Sequence, residues 1–574
     1  MAKVTINNVD LNVDDKTTIL EAAKLHNIKI PTLCHYPDLD IKSDCRICVV
    51  EIVGQKGLTA SCSTPVWDGM VVKTNSPRAL NARKTITEMI LSNHDADCTA
   101  CVRNMGCELQ TLANTLGIDE NRFEKVLVKK ALDSSNPSLI RNGNRCIKCG
   151  RCIDVCKSLQ GISVLDTMGR GHDATVGPAF NRDLMDVFCS YCGQCSSVCP
   201  VGAITEKDNT DDVWEAINNP KKHVIVQVAP AIRVSLGEEL NMPFGSVVTG
   251  KLIAALKMLG FSKVFDTNFT ADLTIMEEGH EFIHRLKTKG TLPIITSCCP
   301  GWINYAEHKY PELFENLSSC KSPQQMFGAL AKTYYAQREN IDPNDIFVVS
   351  IMPCTAKKYE AARPEMSSNQ KDPDVDVVLT TRELGKMIRQ MGIDFVSLKE
   401  AKFDKPDEVT SGAAAIFGAT GGVTEAALRT VSEVLDEKPL KAIEFEKVRG
   451  FDYLREAEIE IAGKKLRVAV AHTLANAKVL AEQIKAGESP YAWIEVMACP
   501  GGCVGGGGQP YGTTHEISRE RINAIYQVDR LTKVRKSHNN AAVLNLYSQY
   551  LGDPYGELAH DLLHTSYEDK SSLK

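Results

Sequence analysis

Five of the 21 cysteines stand in three short stretches that lie far apart in the chain. The stretches are TSCCPGW (296–302), MPCTAKK (352–358) and MACPGGCVGGGG (497–508). Thiolates are soft metal ligands, and the glycines around the last pair would let the backbone approach a large inorganic ligand closely. We therefore interpret these stretches as the site at which the protein carries out its chemistry. The candidate residues are Cys298, Cys299, Cys354, Cys499 and Cys503.

Apolar strand candidates alternate with helix candidates from about residue 223 onwards, which predicts α/β layers with largely parallel sheets. Three predicted strands, in PIITSCCP, IFVVSIMPC and WIEVMACPGG, end directly in the cysteine stretches. Ligands of open α/β sheets bind outside the carboxyl ends of strands, so we expect the five cysteines to converge between two sheets. The alternative is that they are buried structural cysteines. Residues 504–574 are more polar and predict a largely helical, irregular tail that wraps this domain.

Two cysteine runs between residues 141 and 206 form the strongest local pattern. Both have the spacing C-x2-C-x2-C-x3-C, and in bacterial two-cluster ferredoxins the fourth cysteine of each run binds the other cluster. A purely structural role for the clusters is the alternative, and residues 157–188 form a long, irregular insertion between the runs. One 4Fe-4S cluster is therefore assigned to Cys146, Cys149, Cys152 and Cys199, and the other to Cys189, Cys192, Cys195 and Cys156.

The stretch HDADCTACVRNMGCELQ follows an amphipathic helix predicted at 80–91. Three cysteines without a fourth leave a 4Fe-4S cluster one ligand short, which favours the nearby histidine as the fourth. A zinc site with three cysteines and one histidine is the alternative. The predicted ligands are His94, Cys98, Cys101 and Cys107.

The first residues predict a small β-grasp domain, with a β-hairpin over 3–13 and a helix in TTILEAAKLHN. Its cysteines have one C-x2-C pair, a variant of the plant-ferredoxin spacing, and predict a 2Fe-2S cluster. Zinc is the alternative, although zinc ribbons normally use two such pairs. The predicted ligands are Cys34, Cys45, Cys48 and Cys62.

Composition excludes several other classes of protein. The formal charge is -6 with 24% charged residues, so the chain has no excess of positive charge that would attract nucleic acid. No uncharged apolar run approaches the roughly 20 residues that span a bilayer, and the first residues lack the apolar segment of a signal peptide. Tight cysteine clusters in such a chain favour metal over disulfides. We expect a cytoplasmic protein without membrane or nucleic-acid partners.

The three central stretches together resemble those of the iron-only (FeFe) hydrogenases, and the resemblance runs over essentially the whole chain. It implies an H-cluster, which is a 4Fe-4S cube joined through one cysteine to a di-iron unit with CO, cyanide and azadithiolate ligands. The implied reaction is the reversible oxidation of dihydrogen to protons and electrons. The implied cube ligands are Cys299, Cys354, Cys499 and Cys503, with Cys503 shared with the di-iron unit.

The resemblance also implies a proton path and a pocket for the di-iron unit. Cys298 would exchange protons with the bridge amine, and Lys357 would reach a cyanide ligand. A solvated helix face is the alternative for the charged residues of TIMEEGHEFIHR, and a plain core role is the alternative for the apolar ones. The rest of the path would be Glu278, Ser318, Glu281 and Arg285, and the pocket would include Met352, Phe417, Ala229, Pro230 and Met497.

This organisation predicts four domains: a plant-ferredoxin-like 2Fe-2S domain (1–78), a His/Cys3 4Fe-4S domain (79–125), a two-cluster ferredoxin-like domain (126–208) and an α/β H-cluster domain (209–574). The cofactors would be the H-cluster, three accessory 4Fe-4S clusters and one 2Fe-2S cluster. Cys320 is left over, and we interpret it as a small packed side chain.

The segment around His94 resembles respiratory complex I and multisubunit hydrogenases, which favours a catalytic subunit in a complex. The implied partners are an NAD(P)H-oxidising subunit with FMN, a small 2Fe-2S subunit, ferredoxin and maturation proteins, and the complex could bifurcate electrons. The alternatives are a standalone ferredoxin-dependent hydrogenase and, from another class, a non-catalytic hydrogen sensor or iron-sulfur assembly factor.

Overall fold

A computed structural model of the protein describes residues 1–405, 410–440 and 442–572. The chain begins with a five-stranded sheet in the order β2-β1-β5-β3-β4 and one helix packed on it. Asn7 and Asn8 have positive φ angles of 49° and 67°, as a two-residue hairpin turn requires, so the predicted hairpin is confirmed. The elements are β1 (Ala2–Ile6), β2 (Val9–Val13), α1 (Ile19–Leu25), β3 (Val49–Ile52), β4 (Leu58–Ala60) and β5 (Met70–Lys73).

The next part of the chain holds short helices and two small sheets. The helix predicted at 80–91 lies within a longer one that starts at Pro77, the favoured residue for a first helical turn. The insertion at 157–188 contains a short hairpin (β8 and β9) rather than only irregular chain. The elements are α2 (Pro77–Ser92), α3 (Glu108–Thr115), β6 (Leu132–Asp133), β7 (Leu139–Asn142), α4 (Arg151–Asp154), β8 (Asp166–Met168), β9 (Thr175–Gly177), α5 (Gln194–Ser197) and β10 (Ile204–Glu206).

Two four-stranded sheets form the centre of the remaining chain. The first, β12-β11-β14-β15, is entirely parallel, and the second, β13-β18-β17-β16, has one antiparallel pair, so the predicted α/β class with mostly parallel sheets is confirmed. The strands are β11 (His223–Val228), β12 (Lys263–Asp266), β13 (Ile294–Ile295), β14 (Ile346–Met352), β15 (Val377–Thr380), β16 (Leu454–Ile461), β17 (Lys464–His472) and β18 (Trp493–Met497).

Helices flank both sheets and also build the final part of the chain. They are α6 (Thr210–Asn218), α7 (Leu236–Glu239), α8 (Thr249–Leu259), α9 (Thr267–Thr288), α10 (Pro300–Lys309), α11 (Pro323–Leu330), α12 (Ala336–Glu339), α13 (Ala356–Ala361), α14 (Thr381–Gln390), α15 (Gly412–Ala415), α16 (Gly422–Asp436), α17 (Leu474–Lys485), α18 (His515–Leu531), α19 (Ala541–Leu546) and α20 (Glu557–Leu563). None of the described helices is both long and apolar enough to cross a membrane.

Helix α9 matters most for the site, because it runs for 22 residues from the core towards the surface. Asp266 stands immediately before its first residue, and the Asp266 carboxylate accepts a hydrogen bond from the Asn268 amide and so caps the helix. Apart from the half-buried His280, its residues are buried as far as Ile283, where the helix packs against α11 and α16, and its last turn is partly exposed. Charged side chains spaced along this helix can therefore connect the interior with solvent.

Candidate functional site

The three cysteine stretches meet, as predicted, at the carboxyl ends of β13, β14 and β18. Burial raises the pKa of the Cys354 thiol, and the neighbouring Cys299 and Cys503 raise it further. Burial also raises the pKa of Cys499, with Cys354 among its neighbours, and the Ala498 amide donates to Cys299 Sγ at 3.3 Å. Four thiols that converge in a buried space fit an iron-sulfur cube, whose iron would draw them into the thiolate form.

Glycines let the last stretch fold tightly at this point. Gly502 has a φ of +90°, and a Cβ there would lie 2.7 Å from the Thr420 amide nitrogen. A Cβ on Gly505 would lie 2.0 Å from a carbonyl oxygen of its own loop, and one on Gly506 would lie 2.1 Å from Pro353 O. The backbone therefore packs directly against the MPC loop, which no larger residue would permit.

A cavity of about 70 Å³ lies beside these cysteines. Cys298 lines it together with Cys354 and Cys503, so the first cysteine of TSCCP faces the cavity. All the side chains predicted to surround a di-iron unit line the same cavity, where an apolar wall would exclude water. These are Met352, Phe417, Ala229, Pro230, Met497 and Lys357.

Lys357 brings a positive charge to the cavity wall. Its ammonium group donates to the Cys298 carbonyl oxygen at 3.2 Å and to Glu360 at 2.8 and 3.1 Å. Burial opposes this charge, but Glu360 more than compensates and raises the pKa of Lys357 above its usual value. Lys357 is therefore a permanent cation that can balance an anionic group in the cavity. Glu360 was not among the predicted site residues, although its position three residues after Lys357 places both side chains on one face of α13.

Burial, and then the nearby Glu278 carboxylate, raise the pKa of the Cys298 thiol well above its usual value. Glu278 lies on α9, fully buried, and neither of its carboxylate oxygens makes a hydrogen bond of good geometry among the described residues. The Ser318 hydroxyl and the Ser297 amide are near enough to lower the pKa of its carboxyl group, but they do not outweigh burial. Burial and the neighbouring Glu281 raise the pKa of Glu278 to about 8. A buried carboxyl group with such weak partners is costly to ionise, and this one titrates close to neutral pH, as suits a proton carrier.

The outer end of the predicted path is a connected set of hydrogen bonds. Ser318 Oγ donates to Glu281 Oε2 at 2.9 Å, and Arg285 Nη2 donates to Glu281 Oε1 at 2.5 Å. The Arg285 side chain is 14% exposed, whereas Glu281 is buried. Ser318, Glu281 and Arg285 thus form one hydrogen-bonded set, and Glu278 lies beside it, within electrostatic range of Ser318 and Glu281.

The accessory cysteines also meet in sets. One small cavity is lined by four cysteines, three from the first run and one from the second, and another by the reverse combination, as the crossed assignment requires. The first set is Cys146, Cys149, Cys152 and Cys199, and the second is Cys156, Cys189, Cys192 and Cys195. This crossed arrangement fits two cubes.

The first four cysteines of the chain lie in two neighbouring pairs. Cys34 lies against Cys45, and Cys48 against Cys62, with both pairs within electrostatic range of each other. This arrangement of four thiols suits a 2Fe-2S cluster.

His94 is a buried side chain that follows α2 and stands four residues before Cys98 in the chain. Burial lowers its pKa to about 4, so the ring is neutral, and its Nδ1 atom has no hydrogen-bond partner among the described residues. A neutral imidazole with one free nitrogen is the form that binds a metal. Cys98, Cys101 and Cys107 form a neighbouring group around the same loop.

Comparison with known proteins identifies the family. The model described as iron only hydrogenase large subunit, C-terminal domain, matches residues 222–507, and the iron hydrogenase small subunit model matches 515–570. The NADP-reducing hydrogenase subunit HndD of Solidesulfovibrio fructosivorans is 49% identical over 586 aligned positions, which cover 100% of both chains. The chain belongs to the iron-only hydrogenase family. The prediction of an FeFe hydrogenase is therefore confirmed.

Other iron-only hydrogenases show the same relationship. Iron hydrogenase 1 of Clostridium pasteurianum is 42% identical over 99% of this chain and 100% of its own length. The solved structure of the apo FeFe-hydrogenase HydA1 from Chlamydomonas reinhardtii is 42% identical, with a TM-score of 0.57. The match covers 63% of this chain and 99% of the HydA1 chain.

The amino-terminal part of this hydrogenase matches three further models. They are a 2Fe-2S iron-sulfur cluster binding domain (1–77), the NADH-ubiquinone oxidoreductase-G iron-sulfur binding region (83–122) and the ferredoxin-like domain of NADH-quinone oxidoreductase subunit 3 (136–205). The predicted multidomain class is confirmed. The chain is a hydrogenase catalytic subunit with accessory iron-sulfur domains.

The second ferredoxin-like cysteine run of the hydrogenase is joined directly to the central cysteine loops. Thr355 Oγ1 donates to the Tyr191 carbonyl oxygen at 2.7 Å, and Gln194 Nε2 donates to the Gly505 carbonyl oxygen at 2.8 Å. A Cβ on Gly507 would lie 2.1 Å from a carbonyl oxygen of the ferredoxin-like loop. Backbone contact therefore fixes the distance between these two sets of thiols.

The crossed assignment can be tested by removing single ligands. Cys199→Ser is expected to abolish the same cluster signal as Cys146→Ser, with a loss of about four iron atoms per chain, because both residues line one cavity. Iron content and EPR spectra of the reduced protein provide the measurement. Cys195→Ser is the matched control and should abolish a different signal. If Cys199→Ser and Cys195→Ser lost the same signal, the ligand sets would follow sequence order instead.

Proposed function

We propose that this hydrogenase is the catalytic subunit of a cytoplasmic, flavin-containing complex that links reversible hydrogen oxidation to NAD(P) and bifurcates electrons. The observation that carries the proposal is the identity of 49% along the entire NADP-reducing hydrogenase subunit. The accessory regions that match complex I models support it further, because they would suit electron exchange with a subunit that oxidises NAD(P)H. The proposed partners are an FMN subunit, a small 2Fe-2S subunit, ferredoxin and maturation proteins.

The proposed ligand sets follow the cysteine groups described above. Cys299, Cys354, Cys499 and Cys503 would hold the cube of the H-cluster, with Cys503 shared with the di-iron unit in the cavity. When bound, the H-cluster supplies the iron site at which dihydrogen is cleaved or formed. The accessory sets would hold one 2Fe-2S and three 4Fe-4S clusters, one of them with His94 as a ligand, and these would supply electron transfer.

The side chains of the site would move the protons. The Cys298 thiol would exchange a proton at Sγ with the cavity on one side and with Glu278 on the other. Glu278 would pass it through Ser318 to Glu281, and Arg285 would hold Glu281 at the partly exposed end. Because the thiol is neutral and Glu278 titrates near pH 8, neither carries a fixed charge that would trap the proton.

Lys357 would act by charge rather than by proton transfer. Its raised pKa keeps it cationic at the cavity wall, where it would bind a cyanide ligand by a charge-assisted hydrogen bond. Glu360 accepts two hydrogen bonds from the ammonium group, so the cation is held in place before any ligand binds.

Native purification tests the proposed complex. Anaerobic isolation of the tagged chain from its own cells should yield an assembly that contains FMN and reduces NAD(P)+ with hydrogen. Bifurcation further predicts that this reduction requires ferredoxin at the same time. The control is the chain expressed alone with maturation proteins, which should retain only hydrogen chemistry with artificial dyes.

A lone, flavin-free chain that exchanges electrons with ferredoxin at full rate would contradict the complex. It would support the second candidate, a standalone ferredoxin-dependent hydrogenase. That candidate is favoured by the 42% identity to Iron hydrogenase 1 of Clostridium pasteurianum over nearly the whole chain.

A further inference from the structure

Two buried arginines lie near the amino-terminal cysteine sets, which are those of the 2Fe-2S domain and of His94, and neither has a carboxylate partner among the described residues. Arg83, on α2, is 4% exposed, and Arg103, in the loop before Cys107, is 5% exposed. A buried guanidinium group without an anionic partner is costly, because burial removes its hydration. Burial accordingly lowers the pKa of Arg83. Each of these cations needs another source of negative charge.

Other buried arginines of the chain show how such a charge is compensated elsewhere. Arg141 and Arg382 each form an ion pair with a buried carboxylate. Arg455 has no such pair, but each of its guanidinium nitrogens donates to an oxygen. In Arg83 the Nε atom has no acceptor among the described residues, and in Arg103 neither Nε nor Nη1 has one. These two side chains therefore lack both forms of compensation.

Arg83 lies beside the cysteine set of the 2Fe-2S domain. Its Nη2 atom donates to the Val49 carbonyl oxygen at 2.7 Å, and Val49 directly follows Cys48. The guanidinium group is also within electrostatic range of the Cys48 thiol. In the loaded domain Cys48 would be a thiolate on an anionic cluster, so the cluster would supply the missing negative charge.

Arg103 has the same relation to the His94 set. Its Nη2 atom donates to the Gly106 carbonyl oxygen at 2.8 Å, and Gly106 directly precedes Cys107. The guanidinium group is within electrostatic range of the Cys107 thiol and stacks on the Tyr511 ring at 3.7 Å. The aromatic face stabilises the cation weakly but carries no net charge. The loaded cluster would again be the counter-ion.

The buried arginine near the first ferredoxin-like set is neutralised instead. Arg151 lies within electrostatic range of Cys149, but it donates to both carboxylate oxygens of Glu108 at 2.8 Å. Lys130 and Lys148 near the same set are only half-buried, so solvent screens them. Reduction adds a negative charge to a cluster, and an unpaired buried cation favours that change. The two amino-terminal clusters therefore gain a stabilisation of their reduced states that this cube lacks.

We propose that Arg83 and Arg103 are buried counter-ions of the two amino-terminal clusters and raise their reduction potentials, so that electrons from the ferredoxin-like cubes settle there before they leave the chain. Each transfer moves one electron from a reduced cube to an oxidised amino-terminal cluster and makes or breaks no bond. The inference rests on the ligand sets proposed above, but it does not depend on the identity of the partner subunits.

Redox titration of the matured full-length chain, followed by EPR, tests the role of the arginines. Arg83→Met is expected to lower the midpoint potential of the 2Fe-2S signal, and Arg103→Met that of the His94 cluster. Each change in the reduction equilibrium should be at least tenfold, which is about 59 mV for one electron. Arg83→Lys keeps the positive charge and should keep most of the potential. Arg78→Met is the matched control, because it removes an exposed arginine from the same helix and should shift neither signal.

Cys48→Ser and Cys107→Ser identify the two signals, because each variant removes one predicted ligand. A signal that stays unchanged in its serine variant would overturn the ligand set and the proposal together. With the signals identified, unchanged midpoint potentials in both methionine variants would overturn the role of the arginines alone, and a shift at only one cluster would overturn it for the other arginine. If a methionine variant loses its cluster, the glutamine variant at that position replaces it and is held to the same expected shift.

Discussion

Cys298→Ser is expected to lower hydrogen turnover at least about 100-fold while the protein keeps its fold and its iron. Serine is close to cysteine in size, so the cavity wall changes little. The alcohol gives up its proton far less readily than a thiol, and Cys298 is the titratable cavity residue beside Glu278. Viologen-linked hydrogen evolution and uptake by the matured protein, together with iron analysis, provide the measurement.

Cys320→Ser is the matched control for this prediction. It makes the same chemical change in a buried cysteine that does not line the cavity, and it should keep most of the activity. The proton role of Cys298 would be refuted if both serine variants turned over hydrogen at the wild-type rate. Equal loss in both would indicate a general effect of cysteine replacement.

Glu278→Gln is expected to produce a loss of similar size, about 100-fold or more, for a different reason. The amide keeps the shape of the side chain but has no titratable proton, and Glu278 is the buried link between Cys298 and the outer carboxylate. The same assays measure it. Glu277→Gln is the control on the adjacent position.

The two glutamates should differ in stability as well as in activity. Glu277 accepts hydrogen bonds from Tyr547, Tyr555 and His564, so its replacement should destabilise the fold by about 1–3 kcal/mol and leave more activity. Glu278 has no such partners, so its replacement should cost little stability. The opposite pattern, with activity lost at Glu277 and kept at Glu278, would contradict the proposed path.

The raised pKa of Glu278 also predicts how the stability of the protein should change with pH. In the native protein Glu278 keeps its proton up to about pH 8, whereas in the unfolded chain it ionises near 4.5. Between these values the native state binds more protons, so the contribution of Glu278 to stability falls as pH rises, by up to about 4 kcal/mol. Glu278→Gln should therefore resist heat at pH 8 at least as well as the wild type, measured by the temperature of iron release.

Much of the central site could be predicted from local sequence. The strand of IFVVSIM and the strand of WIEVM end where predicted, because long apolar runs before Cys354 and Cys499 specify buried parallel strands. The strand before Cys298 is only Ile294–Ile295, and its pairing with β18 fixes its place. Parallel strands bring such carboxyl ends together, so their convergence follows from the pattern.

The surroundings of the proton path could not be predicted in the same way. Tyr547 and His564 reach α9 from the last part of the chain, more than 250 residues away, through contacts that no local spacing encodes. The tail was expected to wrap the domain, but which of its side chains would touch Glu277 depends on the packing of α19 and α20. The role of Glu360, in contrast, is predictable, because its spacing of three residues from Lys357 places both side chains on one face of α13.

The contact between the ferredoxin-like loop and the central loops has a consequence for how the protein unfolds. The sequence pattern changes near residue 208, and domains divided at such a point often move or melt independently. Here the backbone at Gly507 packs directly against the ferredoxin-like loop, and Gln194 donates a buried hydrogen bond to the central loop. Separating the two parts would therefore expose the cysteines of the central site to solvent. We expect the ferredoxin-like and catalytic parts to melt as one cooperative unit, so a chain cut at the apparent boundary would lose a wall of its own active site.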